Sequence, residues 1–414
     1  MTASARLSPL QPALVVVAGV VAALHVVKLI PAMPHLQAQL GLSLVQAGFL
    51  LSVVQFGGMS LGLAMGLLAD SLGPRRSMAW GLMGLAAASA VGAFATGAVW
   101  LLALRVIEGF AYLITITSAP ALIRQVVPPQ RVSKWMGIWG SFMPVATALA
   151  LLLGPGLMLA LGWQAVWGGM ALLSAAMAWG LQRAVAQQVP SPAMQRPQGL
   201  VAGLLDRLRL TLRHLGPWLL GACFGFYSLQ WLAVIGFLPT VYAQAGVGLA
   251  ASTVLTALAA AANIVGNVAS GRLLGAGWRP QSLLWMGYAV MGLASLGLYL
   301  EWPLAVPGPW RFGLQFVSVA LFSAVGGLIP GTLFALGVRL APSESTVSTT
   351  VGWMQQCSAM GQFAGPPLVA WVASQLGGWH WAWIVTVVSA SLGAGVVWRV
   401  ARLLSTTAAR QAAH

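Results

Sequence analysis

Long apolar runs recur along almost the entire chain, and they restrict its fold more than any other feature of the sequence. A helix needs about 20 apolar residues to cross the hydrocarbon core of a bilayer. Only 6% of the 414 residues are charged, whereas a soluble domain carries roughly a quarter. The runs are also about twice as long as the roughly 10-residue alternating strands of a membrane β-barrel. The sequence therefore predicts an all-α membrane protein and excludes a soluble one.

Twelve apolar runs are long enough to be transmembrane helices, which fits the chain length at about 30 to 35 residues per crossing and loop. The first run contains Lys28 and leads directly into further runs, so we interpret it as a membrane helix rather than a cleaved signal peptide. The predicted spans are 12–34, 44–69, 77–97, 99–123, 135–159, 163–185, 215–241, 250–274, 281–301, 311–337, 346–373 and 380–402.

The distribution of basic residues predicts the orientation of these spans. All of the 20 lysines and arginines except Lys28, Arg105 and Arg311 fall on one side of the twelve-span arrangement. Short loops rich in Lys and Arg remain cytoplasmic, so we expect a multi-pass protein of the inner (cytoplasmic) membrane with both termini in the cytoplasm. The net charge of +15 then reflects topology, and no basic run interleaved with aromatic residues indicates a nucleic-acid partner.

The chain divides into two halves of similar pattern. Residues 186–214 form the only long polar stretch and separate six spans in 1–185 from six in 215–414. Short segments recur in both halves, namely Gly-Pro at 154 and 365, and GWQAVW at 162 with GWHWAW at 378. Such similarity at half the length predicts two pseudo-symmetric six-helix bundles joined by a cytoplasmic linker.

The loop after the second predicted span contains the motif GLLADSLGPRR, residues 66–76. It resembles the loop motif of the major facilitator superfamily, with Ser71 where that family usually has arginine. The resemblance implies secondary transport by alternating access, and a cytoplasmic gate in which the acid stabilises the start of a neighbouring helix. The gating residues that it implies are Gly66, Asp70, Gly73, Arg75 and Arg76.

Two other segments extend this resemblance over the whole chain. RVIEGFA from Arg105 is similar to the family pattern R-x-x-Q-G-x-G, with Glu108 in place of the usual glutamine. The counterpart of the loop motif in the second half, GNVASGRLLGAGWR from Gly266, has Ser270 in place of the acid, so we expect an asymmetric gate. These motifs do not name a substrate or a subfamily.

Three charged residues lie within predicted spans, and they suggest the substrate. Lys28, Arg105 and Glu108 occupy similar depths, and His25 shares a helix face with Lys28. Charges in the hydrocarbon region are costly and mark functional sites, so we predict that this group faces a central cavity. Its surplus positive charge favours an anion, as in the cyanate- and nitrate-type anion porters, and Glu108 is the candidate proton carrier. Alternatively, Arg105 and Glu108 form a structural pair while Lys28 reaches towards the headgroups.

The second half offers amides and aromatic side chains instead of charges. We predict that they form the opposite wall of the substrate site, although hydrogen bonds between helices explain them equally well. The predicted residues are Tyr227, Gln230, Trp231, Asn263, Gln355 and Gln356.

These observations favour a secondary active transporter of a small anionic solute. The alternatives are a multidrug efflux antiporter of the same fold, suggested by the many Trp, Phe and Met residues, and a transport-inactive membrane sensor. We do not expect an enzyme, a metal site or a cofactor, because the five acids and five histidines lack ligand spacing and no Walker loop is present. The expected partners are a small-molecule substrate, the lipid bilayer and protons as a candidate coupling ion, and the expected state is a monomer.

Overall fold

The computed structural model of the protein describes residues 10–41, 44–185, 200–244, 246–300 and 308–412, and these ranges contain α-helices and two 3₁₀ turns but no strand. Residues 186–199 of the predicted linker lie outside them. The helices of the first half are α1 Leu10–Val27, α2 Leu29–Leu40, α3 Leu44–Leu72, α4 Pro74–Gly92, α5 Ala98–Val126, α6 Pro129–Gly140 and α7 Phe142–Ala184.

The second half begins with a helix in the predicted linker. That helix, α8 Leu200–Arg213, precedes α9 Leu215–Gln244, α10 Leu249–Gly275, α11 Pro280–Tyr299, α12 Gly308–Gly326, α13 Leu328–Arg339, α14 Val347–Leu376 and α15 Trp383–Ala412. The 3₁₀ turns Glu344–Thr346 and Trp379–Trp381 come immediately before α14 and α15.

Each of the twelve predicted spans overlaps helical chain, and eight described segments are long and apolar enough to cross a membrane. One of them, Pro129–Ala184, has 56 residues. At 1.5 Å per residue it measures on the order of 80 Å, which is enough for two crossings. It contains a non-helical residue, Gly162, whose positive φ of 75° favours glycine. The eight segments are Leu10–Met33, Ala98–Val126, Pro129–Ala184, Leu215–Pro239, Ala250–Gly275, Pro280–Tyr299, Trp310–Arg339 and Trp379–Thr406.

The helices α3, α4 and α14 overlap the remaining predicted spans but are not among those eight segments. Two arginines, Arg75 and Arg76, lie in the first turn of α4, and three glutamines lie in the middle of α14. Polar residues lower the mean hydropathy of a helix that packs against other helices, so these two helices are less apolar than a lipid-facing one.

Prolines break three of the predicted spans, and the sequence-based prediction of continuous helices is corrected there. Pro31, Pro144 and Pro330 each lie four residues after the last residue of α1, α6 or α12. A proline ring clashes with the carbonyl group four residues earlier, so each helix ends where that clash falls. The breaks matter for function because Lys28 lies at the first of them, and Pro144 and Pro330 line the cavity described below.

Helices of the first half contact helices of the second half most extensively in the pair α3 with α14, followed by α6 with α10, α7 with α10 and α6 with α13. Glycines make the α3–α14 and α6–α10 contacts close. A Cβ atom on Gly66 would overlap the backbone of Ser348, and a Cβ atom on Gly137 would lie 2.5 Å from the carbonyl oxygen of Asn267. Small residues allow membrane helices to approach until their backbones touch.

Candidate functional site

The three charged side chains within the predicted spans form one buried cluster in the first half. Lys28 Nζ lies 2.5 Å from Glu108 Oε1, and Arg105 Nη1 lies 2.7 Å from Glu108 Oε2. Each of the three residues is at most 4% exposed. The alternative in which Lys28 extends to the headgroups is therefore wrong, because its ammonium group is held inside the protein by a carboxylate.

Groups from α1, α4 and α7 complete the cluster. Lys28 Nζ donates to Ser89 Oγ on α4 at 2.9 Å and lies 4.4 Å from the ring centre of Trp167 on α7. His25 Nε2 lies 2.7 Å from Ser174 Oγ, also on α7. Arg105 donates to the carbonyl oxygens of His25, at 2.7 Å, and Val26, close to the break between α1 and α2. With a neutral histidine, the two cations and one carboxylate leave a formal surplus of one positive charge.

A separate cavity lies where helices of the two halves meet. No charged side chain is among its described lining residues, and six of them are aromatic. The lining consists of Tyr112, Gly140, Phe142, Met143, Pro144, Phe224, Tyr227, Ser228, Trp231, Asn263, Pro330, Phe334, Gln355, Ser358 and Gln362.

The structure does not bring the charged cluster to this cavity. Lys28, Arg105, Glu108 and His25 are absent from its lining, in contrast to the prediction that they face it. They pack among α1, α4, α5 and α7, because each cation finds its counter-charge and hydrogen bonds there. Tyr112 lies one helical turn after Glu108 on α5 and does line the cavity, so the two sites are neighbours.

Four of the six predicted residues of the second half line the cavity, namely Tyr227, Trp231, Asn263 and Gln355. The other two do not. Gln230 Nε2 donates to the carbonyl oxygen of Phe226 in its own helix, and Gln356 Oε1 accepts from the backbone N–H of Leu63 in the α3–α14 contact.

Sequence reasoning missed the phenylalanines of the cavity, Phe142, Phe224 and Phe334. Their rings continue from one half to the other, with centroids 6.4 Å apart for Phe142 and Phe334 and 5.5 Å apart for Phe224 and Phe334. A phenylalanine in an apolar helix gives no sign of whether it faces lipid or a cavity. The helix-breaking proline Pro144, two residues away, was the one signal in the sequence that could have pointed to Phe142.

Asp70 joins the two halves at the end of α3. Its carboxylate accepts hydrogen bonds from the backbone N–H groups of Ser348, at 3.0 Å, and Thr349, at 2.7 Å, and from Thr349 Oγ1 at 2.6 Å. These donors belong to the first turn of α14, where unpaired N–H groups and the helix dipole favour an anion.

Of the other predicted gating residues, Gly66 lies against the backbone of Ser348 in α14 and takes part in the contact between the halves. Gly73 has a φ of 86° and precedes Pro74 at the start of α4, so it forms the turn between α3 and α4. Arg75 donates to the carbonyl oxygen of Gln182 on α7, and the Arg76 side chain is exposed.

Two more polar contacts lie near Asp70, one from the linker helix α8 and one between the halves. Arg207 of α8 donates to Ser71 Oγ at 3.0 Å, and Arg124 lies 2.5 Å from Glu344. No group of three His, Cys, Asp or Glu residues in the described part of the chain has the arrangement of a metal site.

Comparison with characterised proteins places this architecture in a family. The chain is 30% identical over 336 residues to a chloramphenicol resistance protein of Streptomyces lividans, covering 77% of this chain and 80% of the relative. It is 28% identical over 327 residues to a chloramphenicol resistance protein of Pseudomonas aeruginosa, covering 76% of this chain and 70% of the relative.

Solved structures share the fold at low sequence identity. The proton:xylose symporter XylE superposes with a TM-score of 0.70 at 13% identity and 94% coverage of both chains. FucP in the outward conformation gives 0.70 at 14% identity, covering 95% of this chain and 99% of FucP. The human organic anion transporter MFSD10 gives 0.70 at 19% identity, covering 94% and 98% of the two chains. The family model of the Major Facilitator Superfamily matches residues 15–351, and the chain belongs to this superfamily of transporters.

Proposed function

We propose that the protein is a secondary active transporter that exchanges a neutral, partly aromatic organic solute for protons. The observation that carries this proposal is the cavity between the halves, with six aromatic residues and no charged side chain in its described lining. In a site of low dielectric constant a charged solute needs a counter-charge, whereas a neutral solute needs apolar contact and a few hydrogen bonds.

Transport would proceed by alternating access between two six-helix bundles, 1–185 and 215–414, with residues 186–214 as the cytoplasmic linker. The location of the glycine contacts and of Asp70 supports this mechanism, because they join the halves on the side of the basic loops. We place the monomeric protein in the inner membrane with both termini in the cytoplasm, from the bias of Lys and Arg.

Glu108 would carry the exchanged proton. Its carboxylate pairs with both Lys28 and Arg105. Protonation would therefore remove the negative charge that holds these two cations in place. Arg105 also binds the carbonyl oxygens of His25 and Val26, and through them a change at Glu108 would reach the break in the first span. Through this connection, proton binding at Glu108 would change the position of the helices around the cavity.

The names of the relatives suggest the first solute to test. Two relatives are chloramphenicol resistance proteins, and chloramphenicol is a neutral aromatic compound. We therefore propose export, in agreement with the efflux alternative from the sequence.

Transport by purified protein in proteoliposomes tests the proposal. We expect an imposed pH gradient to drive accumulation of labelled chloramphenicol, and Glu108→Gln to abolish this accumulation while solute binding persists. The control is Asp206→Asn, which neutralises an exposed acid on α8. Transport of anions alone, or accumulation by Glu108→Gln at the level of the natural protein, would contradict the proposal.

A small anion remains the second candidate, favoured by the surplus positive charge one helical turn from Tyr112. Lys28→Gln separates the two candidates, because it removes the surplus charge and leaves the pair of Arg105 and Glu108. If the solute is an anion, this variant should insert normally but lose transport. If the solute is neutral, its binding should persist. Full anion transport by Lys28→Gln would refute the anion hypothesis.

A further inference from the structure

We infer that the hydroxyl group of Tyr112 and the side-chain amide of Gln355 recognise the solute, one from each half of the protein. The inference rests on the proposed function and specifies the substrate class: a neutral molecule with an apolar or aromatic body that carries both a hydrogen-bond donor and an acceptor. Such a solute would bridge α5 and α14 when it binds.

Most polar groups of the cavity already bind one another. Ser228 Oγ and Ser358 Oγ are 2.6 Å apart. Gln362 Nε2 donates to Ser358 Oγ at 3.1 Å, while Gln362 Oε1 accepts from Gln55 Nε2 at 2.7 Å. These side chains therefore stabilise the wall of the cavity and have little hydrogen-bonding capacity left for a solute.

The amide on α10 is occupied in the same way. Asn263 Nδ2 donates to the hydroxyl oxygen of Tyr227 at 3.0 Å and to the carbonyl oxygen of Ser323 at 2.8 Å. Asn263 Oδ1 accepts from Asn267 Nδ2 at 2.8 Å. Asn263 and Tyr227 thus fix each other in place.

Tyr112 and Gln355 differ from these residues. Both line the cavity, yet neither side chain makes a hydrogen bond to any described residue. Their polar groups can therefore bind a solute directly, whereas the paired groups would first have to give up an internal hydrogen bond. A bound solute that leaves either group unpaired binds more weakly, so these two groups discriminate between solutes more strongly than groups that are already paired.

The chemistry of the two groups sets the substrate class. A phenol hydroxyl both donates and accepts, and a primary amide offers two donors and one acceptor. Neither carries the charge that an ion would need, and Phe142, Phe224 and Phe334 supply apolar contact beside them. Tyr112 lies on α5 of the first half and Gln355 on α14 of the second, so a solute bound to both connects the halves.

Tyr112→Phe and Gln355→Leu test this inference by binding of labelled chloramphenicol to the purified full chain. We expect each variant to weaken binding about three- to tenfold, the effect of one lost hydrogen bond. The melting temperature of Tyr112→Phe should stay unchanged, since its hydroxyl group contributes no internal bond. The matched controls, Tyr299→Phe on α11 and Gln375→Leu near the end of α14, lie outside the cavity lining and should bind as the natural protein does.

The outcomes separate the inference from the proposed function. If the natural protein binds chloramphenicol and both variants bind it within twofold, the inference is overturned and the proposed function stands. If the natural protein binds only anions from a panel of neutral and anionic solutes, or binds none, both are overturned. Tyr112→Phe could instead lower the melting temperature as much as the loss of a hydrogen-bonded hydroxyl group does. That result would assign Tyr112 a structural role.

Discussion

The two glycine-lined helix contacts between the halves of the protein use the same backbone chemistry but differ in charge. In both, α3 with α14 and α6 with α10, glycines allow the helices to touch. The α3–α14 contact adds the carboxylate of Asp70 at the N-terminus of α14. In the second half Ser270 replaces the acid, and its hydroxyl group donates to the carbonyl oxygen of Asn267 in its own helix. The hydrogen bonding of Asp70 and Ser270 is therefore asymmetric, and their role in a gate stays a prediction.

From this difference we expect closure on the basic-loop side to depend more on the α3–α14 pair than on the α6–α10 pair. A charge-assisted hydrogen bond is roughly twice as strong as a neutral one, and Asp70 accepts three bonds. Four variants test this comparison through distances between spin labels. For the α3–α14 contact, exposed labels lie at Leu72 at the end of α3 and at Arg339, the last residue of α13 before α14. For the α6–α10 contact, they lie at Arg131 on α6 and at Arg279, which follows α10. Cys223 and Cys357 are replaced by Ala.

Asp70→Asn should have the largest effect. The amide keeps one acceptor oxygen but loses the negative charge and presents an NH₂ group to N–H donors. Since a hydrogen bond to a charged group contributes about 1.5–3 kcal/mol, we expect the closed-to-open ratio at α3–α14 to fall about 10- to 100-fold. Label distances measure this ratio, and Asp206→Asn is the control. An unchanged distance distribution would show that the carboxylate does not hold the gate.

Gly66→Ala comes next, because its new methyl group would overlap the backbone of Ser348. Overpacking typically destabilises by about 1–3 kcal/mol, so the closed-to-open ratio should fall at least about fivefold. Gly57→Ala on the same helix is the control, since no atom lies near its added Cβ. Equal behaviour of the two variants would argue against backbone contact as the basis of closure.

Gly137→Ala places a methyl group 2.5 Å from the carbonyl oxygen of Asn267 in the α6–α10 contact. We expect a smaller fall, about 3- to 10-fold, because α6 ends at the Pro144 break and can shift. The Arg131–Arg279 label pair should respond and the Leu72–Arg339 pair should not. A response of both pairs would mean that the contacts open together.

Arg124→Gln should have the smallest effect. The pair of Arg124 and Glu344 is exposed, with Glu344 86% exposed at its side chain. Exposed ion pairs contribute about 0.2–1 kcal/mol, so the closed-to-open ratio should change by at most about fivefold and the change should vanish at high salt. A larger change that does not depend on salt would show that this ion pair also holds the halves together, as expected for Asp70.

Local patterns in the sequence were sufficient to predict the helices, the motif residues and the group of charged residues. The GLLADSLGPRR motif pointed to Asp70, and the rarity of charge within the spans pointed to Lys28, Arg105 and Glu108. Two placements could not be predicted. The charges pair with one another away from the cavity, and Gln230 and Gln356 bind backbone groups. The charged residues and Gln356 have neighbours on helices distant in sequence, such as Ser89 and Ser174 around Lys28 and His25, whereas Gln230 bonds within its own helix.

The sequence by itself determined that the chain is a helical membrane protein with its basic loops on one side, because hydrophobicity and charge act residue by residue along each segment. Only the tertiary structure decided which polar side chains meet each other and which remain available to a solute. Tyr112 and Glu108 share one face of α5, yet one lines the cavity and the other is enclosed by cations. That outcome depends on how neighbouring helices pack around α5, which no pattern within a single helix specifies.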